Sequence, residues 1–128
     1  MNASTLLFVA MGGAAGAVGR YAVMSAVGAT FGHGFPLGTI TVNILGSFLL
    51  GAVVEVSALV WSPSPELRAM IVVGVLGAFT TFSTFSLDVV TLMNRGEVGA
   101  AFAYIAVSVV ASIAALWLGL TLTRLVLS

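Results

Sequence analysis

The sequence predicts an all-α membrane protein with four transmembrane helices in one domain covering residues 1–128. Of the 128 residues, 60% are hydrophobic and 6% are charged, whereas ordinary soluble domains carry roughly 25% charged residues. Four apolar stretches are each long enough to cross a hydrocarbon core of about 30 Å. Short segments rich in glycine, proline or charge separate them. A soluble core of this size has no use for so much apolar surface, so the chain is expected in a lipid bilayer.

Local sequence signals bound each predicted helix. The stretch 29–36 carries glycines and a proline, and Ser62-Pro63-Ser64-Pro65 ends the second apolar stretch. Glu66 then lies where the first turn of a helix favours a carboxylate. The N-terminus lacks the basic region of a secretory signal, so the first helix is expected to be retained. The predicted spans are residues 4–28, 37–61, 66–93 and 97–124.

Charge and composition exclude several classes of function. The formal net charge is zero, and no lysine or basic cluster is present to attract nucleic acid. Without cysteine the chain forms no disulfide or thiolate metal site, and a single histidine, His33, cannot build a metal site alone. No nucleophile, base and orienting group occur together, so we expect no enzyme.

The arginines do not set one orientation in the membrane. An even number of spans places both termini on one side, with Arg68 and Arg124, and leaves Arg95 on the other, while Arg20 lies within the first span. Orientation follows the excess of lysine and arginine in short loops, and here the counts on the two sides are nearly equal. We therefore expect insertion in both orientations and pairing as an antiparallel, dual-topology homodimer.

Two of the spans carry a row of polar side chains on one helical face. A polar group in hydrocarbon is costly without a partner, so these rows are informative. The spacing i, i+4 and i+8 predicts a narrow polar path, although packing against a neighbouring helix would also use it. Asn43 is the unusual member, because its amide has two N–H donors for an anion or for a helix interface. The rows are Thr39, Asn43 and Ser47 in the second span, and Tyr104, Ser108 and Ser112 in the fourth.

The first span combines small residues with one arginine. Gly12 and Gly16 have the GxxxG spacing of a close helix crossing, so packing is their expected role. Arg20 must snorkel, pair with an acid such as Glu55 or Asp88, or face a watery vestibule. The sequence leaves these alternatives for Arg20 open.

The third span contains an unusual run at residues 79–86, with three phenylalanines and five hydroxyl side chains. Together with Gly74 and Gly77, these hydroxyls are typical of a membrane helix that is locally unwound, whose freed carbonyls could hold a cation. The positive ring edges of Phe82 and Phe85 attract anions weakly. Filling space between helices is the alternative use of these rings.

Residues 77–86, Gly-Ala-Phe-Thr-Thr-Phe-Ser-Thr-Phe-Ser, resemble the signature of the Fluc (CrcB) fluoride channels. Residues 16–21 and 39–46 resemble the motifs of that family's first and second spans. The length and the four-span plan agree, so the resemblance covers essentially the whole chain. Asp88 departs from the pattern, in which glutamate is more frequent, but keeps the negative charge.

The resemblance implies a passive fluoride channel of the bacterial cytoplasmic (inner) membrane that exports fluoride and so provides resistance. It also implies an antiparallel homodimer with two pores and a structural sodium ion at the dimer centre. The carbonyls of Gly77 and Thr80 would hold the sodium ion. The implied fluoride pore comprises Asn43, Phe82, Phe85, Tyr104, Ser108 and Ser112, with Thr39 as a further donor and Arg20 in an aqueous vestibule.

Three other functions remain as alternatives. A four-helix multidrug transporter needs a carboxylate in the first span, where this chain has Arg20 instead. A fluoride/proton antiporter would have only Glu55 and Asp88 as acids within its spans. A structural subunit without transport would leave the polar rows unexplained.

Overall fold

A computed structural model describes residues 1–128, and it confirms the prediction of an all-helical chain with four helices long and apolar enough to cross a membrane. The largest differences from the predicted bounds are at Phe31 and Leu127, three residues beyond the expected ends at 28 and 124. The helices are α1 (Ala3–Phe31), α2 (Leu37–Leu59), α3 (Pro65–Ala69), a π-helical segment (Met70–Leu76), α4 (Gly77–Phe79), α5 (Phe82–Asn94) and α6 (Val98–Leu127).

The third span, Pro65–Asn94, is bent. It starts with the Ser64 hydroxyl accepting a hydrogen bond from the Leu67 amide at 3.2 Å, which caps α3. The bend lies at Thr80 and Thr81, whose ψ angles of 161° and 118° are those of extended backbone. The Thr81 hydroxyl then accepts from the Thr84 amide at 3.1 Å and starts α5.

The two glycines expected to help unwinding lie before the bend. Gly74 lies within the π-helical segment, and Gly77 keeps helical angles of φ −64° and ψ −35°. Gly74 instead permits a close approach of α1, since a Cβ there would lie 2.8 Å from the Val9 carbonyl oxygen. The helix is unwound at Thr80 and Thr81 instead, because threonine side chains can bond to nearby backbone groups.

Glycines also allow two close helix crossings. A Cβ at Gly12 or Gly16 would clash with carbonyl oxygens of the π-helical segment, so the predicted crossing by the GxxxG pair is confirmed. Gly51 and Gly119 play the same part between α2 and α6, where each faces a carbonyl oxygen of the other helix. Glycines therefore bring α1 against the third span and α2 against α6.

The two ends of the helix bundle differ in chemistry. We call the end with residues 32–36 and 95–97 the loop side, and the end with both termini the terminal side. A buried cluster of Phe85, Leu92, Ala101 and Tyr104 lies towards the loop side. On the terminal side, Arg124 donates to the buried carboxylate of Glu55 at 3.0 Å.

Candidate ion pathway

A cavity of about 290 Å³ lies beside the bend in the third span and gathers residues of three different spans. Its lining includes seven residues predicted for the pore or the sodium site. Those seven are Asn43, Gly77, Thr80, Phe82, Phe85, Ser108 and Ser112. Thr39, Tyr104 and Arg20 do not line it. The cavity therefore joins the polar rows of the second and fourth spans to the run of phenylalanines and hydroxyls.

Asn43 is bound to the bend through both ends of its amide. Its Nδ2 donates to the Thr81 carbonyl oxygen at 3.0 Å, and its Oδ1 accepts from the Thr81 amide at 2.7 Å. Asn43 thus bonds across a helix interface, which is one of its two expected uses, and it also lines the cavity. One of its two N–H donors remains for an anion.

This arrangement redirects two backbone amides at the bend. In a continuous α-helix the Thr81 amide would donate to the Gly77 carbonyl, and the Thr84 amide to the Thr80 carbonyl. Here the Thr81 amide donates to Asn43 and the Thr84 amide to the Thr81 hydroxyl. The Gly77 and Thr80 carbonyls lose these partners, so the residues present fit a cation that prefers oxygen ligands.

Ser108 has a hydroxyl without a partner. Its Oγ is buried and makes no hydrogen bond within the chain, although the residue lines the cavity. Isolated serines in membrane helices often bond to the carbonyl four residues earlier, as Ser86 does to Phe82 at 3.0 Å. A buried hydroxyl without this bond needs another partner, and the cavity provides the space for one.

The two phenylalanines differ in exposure. Their ring centroids are 5.4 Å apart with the planes tilted by 43°. Phe85 is 9% exposed, whereas Phe82 is 77% exposed at the rim of the cavity. Phe85 also packs against Tyr104, with the centroids 5.2 Å apart. One ring therefore belongs to the core of this chain, and the other projects outwards.

Arg20 forms no ion pair. Its Nε donates to the Ala78 carbonyl oxygen at 3.1 Å, two residues before the bend. The only salt bridges in the chain are Arg95–Glu97 and Arg124–Glu55. Arg20 therefore does not pair with Glu55 or Asp88, which was one of its expected alternatives. Arg20 lines a second cavity of about 510 Å³, together with Ala17, Tyr21, Met24, Ser25 and His33.

Asp88 lies at the centre of a polar cluster that was not predicted from the sequence. The Thr39 hydroxyl donates to Asp88 Oδ2 at 2.7 Å, and the Tyr104 hydroxyl donates to the same oxygen at 2.8 Å. Thr39 is 2% exposed and Tyr104 is fully buried. The sequence did contain one indication of this cluster, because an acid within a membrane helix needs hydrogen-bond donors around it. The helical spacing alone did not reveal that the first members of both polar rows meet at this acid.

Four helices able to span a membrane, a bent third span and a cavity with free donors on Asn43 and Ser108 define a small membrane protein built to pass or hold ions. Residues 7–120 match the family model of the CrcB-like protein, Camphor Resistance (CrcB). The chain belongs to this family.

Three curated relatives are similar in sequence to this protein over almost its full length. It is 51% identical over 119 residues to a protein of Rhodospirillum centenum, which covers 93% of this chain and 94% of the relative. It is 48% identical over 122 residues to a Chelativorans protein, with 95% and 98% covered. It is 46% identical over 127 residues to a Hahella chejuensis protein, with 99% and 100% covered. All three relatives are named fluoride-specific ion channel FluC.

Proposed function

We propose that this protein is a fluoride-selective channel through which cytoplasmic fluoride leaves passively across the bacterial inner membrane. The observation that carries the proposal is the cavity at the bend, where Asn43, Ser108, Phe82 and Phe85 meet. The family membership and the names of the relatives support the same function.

The cavity suits a small, strongly hydrated anion. Such an ion needs several donors in succession to replace its water, with each site weak enough to release it. The free N–H of Asn43 and the unpaired hydroxyl of Ser108 supply donors, and Ser112 lies one turn further along α6. The rings of Phe82 and Phe85 narrow the path and expose weakly positive edges. Chloride is larger and would be excluded by size.

The proposed active form is an antiparallel homodimer of two oppositely oriented copies. Phe82 supports this, because a large ring that is 77% exposed beside a polar cavity is available to a second chain. The nearly tied arginine count is compatible with two orientations. In such a dimer, the Gly77 and Thr80 carbonyls of both copies would face a central sodium ion, which would hold the two bends together.

The positions of the two intramembrane acids favour a channel over a fluoride/proton antiporter. Glu55 is paired with Arg124 at the terminal side, and Asp88 accepts two hydroxyl donors. Neither acid lines the cavity at the bend. A carboxylate that exchanged a proton with each fluoride ion would need access to that ion.

Fluoride efflux from proteoliposomes, followed with a fluoride electrode, tests the function. We expect efflux only when a potassium ionophore compensates the charge, and we expect no comparable chloride efflux. Ser108→Ala and Phe82→Ile should slow efflux. Ser57→Ala is the matched control for Ser108→Ala, because the Ser57 Oγ is also buried without a partner but lies outside the cavity. Equal rates for Ser108→Ala and Ser57→Ala would contradict the pathway.

Reporter fusions to the C-terminus test the dual orientation separately. We expect signals from both sides of the membrane. A single orientation would contradict the antiparallel dimer, but it would leave the proposed role of the cavity unchanged.

A further inference from the structure

The two loops on the loop side are tied together by one arginine. Arg95 Nη2 donates to the Gly34 carbonyl oxygen at 2.6 Å, and Arg95 Nε donates to Glu97 Oε2 at 2.8 Å. Gly34 and Arg95 are 61 residues apart in sequence. A guanidinium that bonds two groups at once fixes their geometry better than a single-point donor. The loop between α1 and α2 is thus held against the turn between α5 and α6.

This tie fixes the position of Phe35, the residue after Gly34. Phe35 packs edge-on against Tyr104, with ring centroids 5.6 Å apart and planes at 85°. Tyr104 also packs against Phe85, with ring centroids 5.2 Å apart and planes tilted by 38°. The edge-on arrangement is a favourable one for aromatic pairs. The Tyr104 ring therefore contacts two other rings, one from a loop and one from the cavity wall.

The direction of the Tyr104 ring determines where its hydroxyl points. That hydroxyl donates to Asp88 Oδ2, which also accepts from Thr39. Tyrosine has a rigid ring, so rotation of the side chain at Cα or Cβ moves the hydroxyl away from the carboxylate. Without Phe35, the Tyr104 ring would lose one of these two ring contacts, and the hydroxyl would spend less time on Asp88.

We propose that Phe35, fixed by Arg95, is a positioning residue for fluoride passage, because it holds the Tyr104 hydroxyl on Asp88 at the loop-side end of the pathway. This inference rests on the proposed function and on the expectation that Tyr104, which lies outside the cavity, belongs to the fluoride pore. It adds two residues outside the cavity, neither of which belongs to the polar rows or to the run in the third span.

The test compares Phe35→Leu, Tyr104→Phe and the double variant by fluoride efflux from proteoliposomes. An aromatic pair contributes enough that losing it should slow efflux by about twofold to tenfold in Phe35→Leu. If Phe35 acts through the Tyr104 hydroxyl, Phe35→Leu should have little further effect in the Tyr104→Phe background. Phe35→Tyr keeps the ring and should retain the parent rate. Phe31→Leu is the matched control, because Phe31 flanks the same loop, is 69% exposed and pairs with no other ring.

The outcomes separate this inference from the proposed function. A slow Tyr104→Phe variant together with a parent-like Phe35→Leu variant would overturn the positioning role alone. Multiplicative losses in the double variant would do the same, because they would mean independent action. A parent-like Tyr104→Phe variant would remove Tyr104 from the pathway and this inference with it. Each variant is compared at equal elution position in size-exclusion chromatography, so that misfolding is recognised before efflux is measured.

Arg95→Lys provides a second measurement on the same contact. Lysine keeps the charge that counts in the orientation of the chain, but a single ammonium cannot reproduce both bonds of the guanidinium fork. We expect slower efflux than in the parent and no further slowing when Tyr104→Phe is added. Efflux at the parent rate would show that Phe35 does not depend on Arg95.

Discussion

The close crossing of α1 and the third span makes Gly74→Ala a sharp test of the fold around the pathway. A Cβ at Gly74 would lie 2.8 Å from the Val9 carbonyl oxygen and 2.9 Å from the Gly12 Cα, both of which belong to the backbone of α1. Ordinary Cβ contacts begin at 3.4 Å, so α1 would have to retreat by about 0.6 Å (3.4 − 2.8). At Gly13, on the same stretch of α1, a methyl group would have no neighbouring atom within 4 Å, which makes Gly13→Ala the matched control.

The two substitutions separate steric cost from helix propensity. Replacing glycine by alanine within a helix gains up to about 1 kcal/mol, and this gain is common to both variants. Forcing extra volume into a packed interface costs about 1–3 kcal/mol, and this cost applies to Gly74→Ala alone. We therefore expect Gly74→Ala to be less stable than Gly13→Ala by about 1–3 kcal/mol.

Thermal unfolding of the purified protein, followed by the fluorescence of Trp61 and Trp117, measures this difference. For a chain of this size, each kcal/mol corresponds to a midpoint shift of about 4 °C. A retreat of α1 would also weaken the bond from Arg20 to the Ala78 carbonyl, so fluoride efflux should slow in Gly74→Ala. Equal midpoints for Gly74→Ala and Gly13→Ala would refute the close approach of the two backbones.

Three further predictions concern the charged groups. Asp88→Asn should slow fluoride efflux by about tenfold and more than Thr39→Val does, because hydrogen bonds to a charged acceptor are the stronger ones and Asp88 accepts two. Arg124→Gln should lower the free energy of unfolding by about 1–3 kcal/mol more than Glu55→Gln does, because it leaves a buried carboxylate without its partner. Arg95→Gln removes the one arginine in the loop-side turns, so C-terminal reporters should shift towards a cytoplasmic C-terminus. An unchanged mixture of the two orientations would contradict the idea that the nearly equal arginine counts determine it.

The four spans could be predicted because the bilayer imposes a length and a composition on every crossing helix. Breakers such as Pro63 and Gly96 then marked the turns. The helix ends at Phe31 and Leu127 were less predictable, since apolar residues beyond the hydrocarbon core continue a helix without changing the pattern. The place of the bend also depended on partners, because Thr80 and Thr81 unwind where Asn43 of another span replaces the lost backbone bonds.

The residues of the candidate site were likewise only partly predictable from the sequence. Residues that share a helical face, such as Ser108 and Ser112, could be grouped from their spacing alone. Contacts between distant parts of the chain could not, because periodicity carries no information about which helix faces which. The meeting of Thr39 and Tyr104 at Asp88 is of this second kind, and so is the tie from Arg95 to Gly34.

The hydrogen bonds divide the polar groups of the proposed pathway into fixed and free donors. Asn43 uses one N–H and its oxygen to hold the bend, and the hydroxyls of Thr39 and Tyr104 are committed to Asp88. Ser108 alone combines a buried hydroxyl with a place on the cavity wall and no partner. Since a buried donor without a partner costs free energy, an anion that accepts from Ser108 removes that cost on arrival. In the proposed pathway, the fixed donors would hold the bend and Asp88 in place, and the free ones would provide weak sites that an ion can leave.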